Sequence, residues 1–417
     1  MNKIIQRGLV LLVFAVPLIF SHSTIEVYGL IKVVVLEVGV LALLALWLIQ
    51  SGTGPSGKDV KIGPLGWAVL GFLGVAVLSL VKATNIHEGL KALYQLGAGV
   101  GLFFLVANKV KEKKEVNEII LALILAGLVS CFFSLYENRG IRFGAVRFAY
   151  TSTFGNPLFF AQYLSLAMPL GVAMCLQKKS RGPGTAPFGR MSPFFRIFFG
   201  LSALFMLVFL LLTRCRGAYL GVAVALLYCY IAILLYYSGR LRKALIGLLI
   251  VFVVVLSLGF SLAQSKGWMG KDIRWRNLMR VYLWSSTLEM VKDHPILGVG
   301  VGNFKVVYPL YRSGKDKEVT PKGVKYSKAH NDFLQIWAEM GTLGLVCFLG
   351  ILFSLVRAIR RTRGSPCGHI SLGLQAGIIA LLVQAFFNPL LYVPVSGMGF
   401  WVLLGLLALD RTRINTN

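Results

Sequence analysis

Late in the chain, His330, Asn331 and Asp332 stand in a row within "SKAHNDFLQIWAEMGTLG", Ser327 to Gly344, where an apolar helix begins. Imidazole has the one ordinary pKa that lets a side chain take a proton near neutrality, as activation of a hydroxyl nucleophile requires. Upstream, "RWRNLMRVYLW" sets Arg276 and Arg280 four apart, on one face of a helix. The turn "TRCRG" adds Arg214 and Arg216. A guanidinium fork donates two parallel charge-assisted hydrogen bonds, so it suits a diphosphate better than an ammonium does. Two readings stay open for these residues: a base with an anion clamp, or a structural histidine with arginines drawn to lipid head groups.

A membrane bundle must position them. The 417 residues have a mean hydropathy of +0.75, with 57% hydrophobic and 14% charged residues, unlike an ordinary soluble domain. A helix needs roughly 20 mostly apolar residues to cross the hydrocarbon, whereas barrel strands are about 10 long and alternate in polarity. The runs here predict an all-α, polytopic membrane protein of about twelve spans. The first nine run from Gly8–Phe20, read as a membrane helix rather than a signal peptide, to Ala244–Ala263. The last three are Phe333–Val356, Ser371–Phe387 and Val393–Leu409. Three regions follow: an N-terminal bundle over 1–263, a long outer loop over 264–329, and a C-terminal three-span unit over 330–417.

The net charge of +27 follows the topology rule rather than calling for nucleic acid. Lys and Arg gather in alternate connections such as "NKVKEKKEVN", "QKKSRGPG", "GRLRK" and "RAIRRTRG". That pattern puts both termini in the cytoplasm. Two outward connections break it, 137–154 with Arg139, Arg142 and Arg147, and "TRCRG"; the long basic loop is exempt by its length. Positive charge beside an outer cavity suits an anionic, lipid-linked substrate; attraction to membrane lipids is the alternative. The six cysteines show no paired spacing, and no compact carboxylate pair stands on this face, so neither metal nor cofactor is expected.

"RWRNLMRVYLWSSTLEMVKDHP" reads as an amphipathic helix that stops at "DHP". "LGVGVGNF" brings Gly298, Gly300 and Gly302, either a tight backbone turn or an amide nest for phosphate. A helix starting near Ser327 would put His330, Leu334 and Trp337 on one face, and Lys328, Asp332, Gln335 and Glu339 on another. That second stripe would run into the membrane, where acidic residues face a cavity, leaving His330 at its lip. Asn156 before Pro157 reads as a helix cap, with a supporting site role as the alternative.

In order, "TFGNPLFFAQYL", "TRCRGAYLG", "RVYLWSSTLEMVKDHPILGVGVGNF" and "AHNDFLQIWAEMGTLG" resemble the O-antigen ligase and polymerase superfamily of bacterial envelope enzymes, most of all the ligases. The likeness implies a GT-C type fold and a glycosyltransferase on the periplasmic side of the inner membrane. It implies an undecaprenyl-diphosphate-linked glycan as donor and a sugar of lipid A-core, or another glycan, as acceptor. By motif, His330 would be the general base and Arg216 and Arg280 would hold the diphosphate, without metal; Arg214, Arg276, Arg147, Asn331 and Asn156 would be supporting residues. A polymerase would use much the same groups. A protein O-oligosaccharyltransferase and a glycolipid transporter are more distant alternatives, the latter because neither repeats nor paired broken helices are apparent.

Overall fold

The computed structural model of the chain describes residues 2–24, 26–52, 60–139, 150–177, 192–236, 271–314, 326–361 and 368–409. Among these residues the chain is all α, with no strand. The first eight helices are α1 (Asn2–Leu18), α2 (Leu30–Gly52), α3 (Pro64–Ser79), α4 (Ile86–Lys109), α5 (Lys113–Glu137), α6 (Pro157–Leu176), α7 (Pro193–Leu212) and α8 (Arg216–Tyr236). Then come α9 (Lys271–Asp293), α10 (Phe304–Tyr311), α11 (Asp332–Arg361), α12 (His369–Ala385) and α13 (Pro394–Ala408). Helices α3, α6, α7 and α13 each open on a proline, whose missing N–H costs nothing in a first turn.

Seven described helices are long and apolar enough to cross a membrane, and α8, α12 and α13 contribute shorter apolar stretches. The protein is therefore a multi-pass membrane protein. The span expected over Ala244–Ala263 lies outside the described residues.

Helix α6 lies at the centre, against α5, α7, α8 and α12. Small residues let backbones approach, as association within lipid favours. A Cβ on Gly221 of α8 would come within 2.6 Å of the Ala380 carbonyl oxygen of α12, and one on Gly377 within 3.1 Å of the Leu166 carbonyl oxygen of α6. Buried amides and hydroxyls pair across the bundle: Gln384 Nε2 donates to Ser165 Oγ at 2.6 Å, and Ser396 Oγ to Gln162 Oε1 at 2.8 Å. Near the start of α2, the Lys32 ammonium donates to the carbonyls of Val16, Pro17 and Ile19 at 3.2, 2.8 and 2.6 Å, capping the end of α1.

The span expected as a continuous run over Phe333–Val356 is broken. At Gly341, φ is 64° and ψ −169°, a combination essentially reserved for glycine. The break separates 332–340 from 342–361, and it removes the bonds from Thr342 N–H to Ala338 and from Leu343 N–H to Glu339 that a regular helix would make. The glycine-rich strap pairs all four groups instead. Val299 and Gly300 donate to the Ala338 and Glu339 carbonyls, both at 2.9 Å; Thr342 and Leu343 donate to the Pro295 and Ile296 carbonyls at 2.8 and 3.4 Å. Gly298, Gly300 and Gly302 have φ of 68°, 94° and 74°, so the tight-turn reading holds. The Gly300 amide, spent on Glu339, is not left for a phosphate nest.

Gly300 packs on Ala83 and Gly302 on the Glu88 carbonyl, so the break lies at the bundle end that carries the α3–α4 turn. From there 342–361 is about 30 Å long at 1.5 Å per residue, enough to cross unaided. The polar stripe does not run along that crossing, as expected from the sequence, but sits on the short segment before it.

Candidate active site

Helix α11 begins at Asp332, not near Ser327, because Asn331 takes the cap: its Oδ1 accepts the Leu334 N–H at 3.1 Å. His330 and Lys328 therefore precede the helix rather than share its faces. Among described non-glycine residues, three have positive φ, each 52°: Ser152, Arg214 and His330. Two of the three are expected site residues. Such backbone costs of order 1–3 kcal/mol and persists where the surroundings over-determine it.

The surroundings of His330 do so. The preceding Ala329 N–H donates to Gln335 Oε1 at 2.6 Å, and its carbonyl accepts the Trp284 indole N–H at 3.0 Å. Gln335 Nε2 donates in turn to Glu339 Oε1 at 2.8 Å. Glu339 also accepts the Phe304 N–H at 3.2 Å and the Tyr392 hydroxyl at 2.6 Å. Asp332 Oδ2 accepts the N–H groups of Leu390 and Leu391 at 2.8 and 3.0 Å, and the Lys328 ammonium donates to the Tyr392 carbonyl at 3.0 Å. One short helical segment thus fixes the strap after α9, the 388–392 loop and the residue before His330. Asp332, Gln335 and Glu339 share a face, as expected, but that face is almost fully buried and hydrogen-bonded to protein rather than open to a polar cavity with His330 at its lip.

The arginines approach from two other helices. Arg280 lies on α9, one turn before Trp284, and its charge acts on His330. Arg280 and Arg216 both act on the buried Cys215 thiol, which accepts the Gly217 and Ala218 N–H groups where α8 starts. Beside it Gly217 packs on the Asn388 amide, in the loop that Asp332 clamps. Arg280 thus acts on His330, and Arg280 and Arg216 act on one thiol, although α8, α9 and α11 are far apart in the chain. Burial, with the charges of Arg280 and Lys328, lowers the His330 pKa to about 4, so the imidazole is neutral at neutral pH. Burial lowers Lys328 to about 8.

The supporting residues separate. Asn156 caps α6, its Oδ1 accepting the Leu158 N–H at 2.8 Å, and Asn331 caps α11, so local helix chemistry accounts for both. Arg214 is exposed in the turn before α8, Arg276 sits one turn before Arg280 on α9, and Arg147 lies outside the described residues. Sequence reasoning missed Trp284, Tyr392 and Asn388. The four-residue step from Arg280 to Trp284 was a usable signal; Tyr392 and Asn388 offered none, since their partners are remote in sequence. Among the described residues, no three His, Cys, Asp or Glu side chains gather as metal ligands.

Residues 201–349 match the family model described as O-antigen ligase. The chain is similar to the O-antigen ligases. The matched region holds Arg216, Arg280, His330, the strap and the Gly341 break. A curated protein of Rickettsia conorii, provisionally named a polysaccharide ligase, is 27% identical over 84 residues. That alignment covers 19% of this chain and 20% of the relative's length.

Proposed function

We propose that the protein is a metal-independent glycosyltransferase of O-antigen ligase type. It moves a glycan from undecaprenyl diphosphate to a sugar hydroxyl, with lipid A-core as the acceptor. The observation that carries this reading is the linkage of a neutral, strained histidine to two arginines on separate helices. The fold is then a GT-C type bundle of about twelve spans. Both termini are cytoplasmic, and the site opens to the periplasmic side of a bacterial inner membrane. The 264–329 region is then the periplasmic loop between the N-terminal bundle and the C-terminal three-span unit.

In this mechanism Arg216 and Arg280 bind the diphosphate, and its negative charge offsets the guanidinium beside His330. The imidazole then becomes a stronger base once the donor is bound. It withdraws the acceptor hydroxyl proton as the oxygen attacks the anomeric carbon. The bond from that carbon to the diphosphate oxygen breaks, and the arginines stabilise the charge that grows on the leaving group. Direct displacement inverts the anomeric configuration.

The test is a reconstituted reaction with purified protein, undecaprenyl-diphosphate glycan and lipid A-core, resolved by product. Glycan joined to core supports the ligase. Lengthening of the lipid-linked glycan without transfer to core assigns a polymerase instead, and no product with either acceptor sinks the transferase reading.

A further inference from the structure

Both backbone groups of the fully buried Ala329 are held by side chains, and the two holders differ in origin. Gln335 belongs to α11, the helix His330 precedes. Trp284 belongs to α9, one turn beyond Arg280 and on the same flank. The Ala329 carbonyl lies in the peptide plane that it shares with the His330 nitrogen, so whatever holds that carbonyl fixes the plane from which the His330 φ of 52° turns.

We propose that Trp284 is a positioning residue: its indole N–H ties α9, and with it Arg280, to the backbone that presents His330. An anion drawn to Arg280 then meets the imidazole in fixed register. The inference rests on the function proposed above, because it needs His330 to act on a group placed by Arg280. Without the bond, the Ala329 carbonyl is buried and unpaired, and the peptide plane turns towards an ordinary φ, taking the imidazole with it. The donor still binds, since Arg280 and Arg216 are unchanged; what is lost is alignment for proton transfer.

The experiment replaces Trp284 with β-(3-benzothienyl)alanine, which keeps the bicyclic shape and removes only the N–H donor. Trp284→Phe and 5-fluorotryptophan, which retains the donor, accompany it. The expected result is a kcat lower by about 10- to 100-fold in the two variants lacking the donor, with donor KM changed by less than about twofold. The fluorotryptophan protein keeps wild-type kcat. Wild-type kcat with benzothienylalanine overturns the inference even if Trp284→Phe fails to fold, and so does a rise in KM at constant kcat. His330→Ala assayed in parallel separates the two ideas. Transfer lost there but retained with benzothienylalanine defeats the positioning role alone; transfer retained in His330→Ala defeats the base and its positioning together.

Discussion

The break in α11 should not tolerate a side chain. A Cβ on Gly341 would stand 2.1 Å from the Ile296 carbonyl oxygen and 2.2 Å from its carbon, and backbone atoms cannot swing aside as a side-chain tip can. The φ of 64° adds about 1–3 kcal/mol of strain for alanine. Relief by straightening α11 would release the strap and its four hydrogen bonds, each worth about 1 kcal/mol net. The strain and the straightening are alternative responses, and a straightened α11 regains two helical bonds, so Gly341→Ala is expected to destabilise the fold by roughly 2–4 kcal/mol, a large share of a typical protein's margin. Gly350→Ala is the control in the same helix: nothing lies within 4 Å of its Cβ, and helix propensity favours alanine by up to about 1 kcal/mol. Thermal unfolding in lipid nanodiscs, with hydrogen exchange at Val299, Gly300 and Thr342, reads both effects. A Gly341→Ala protein with wild-type melting and all three amides still protected would refute the reasoning.

Two other perturbations probe the site. With His330 near 4, the free-enzyme acid limb of kcat/KM should fall near pH 4 rather than 6.5, and Arg280→Gln should move it upward; a wild-type limb at 6.5 would contradict the burial described. The same shift makes the unfolded chain bind the proton first between pH 6.5 and 4, so His330 should cost stability as pH falls through that window, measurable as a declining melting temperature. Asp332→Ala leaves the Leu390 and Leu391 N–H groups unpaired, at about 1–3 kcal/mol each. Asp332→Asn, which keeps an acceptor, should lose less, and equal loss in both would show that the carboxylate's hydrogen bonds do not anchor the loop.

Helix length and type were legible where they are local properties. The run from Pro157 to Leu176 is helical end to end, and "DHP" does stop α9, at Asp293. The common face of Asp332, Gln335 and Glu339 was also legible, because helical periodicity does not depend on which residue starts the helix. The start itself was not: Ser327 and Asn331 are both good caps, and the strained His330 backbone is decided by Trp284 and Gln335, not by propensity. The Gly341 break was hidden for a similar reason. A glycine in an apolar helix is ordinary, and only the strap's donors and acceptors, some forty residues upstream, satisfy the backbone groups that the break frees. Such contacts leave no periodic trace in either segment.

The most direct measurement is transfer by wild type and His330→Ala at equal folded amounts, with donor binding followed separately. The account predicts a rate lower by about 10² to 10⁴ in the variant, with donor affinity unchanged because Arg216 and Arg280 remain. Wild-type turnover by His330→Ala would contradict it.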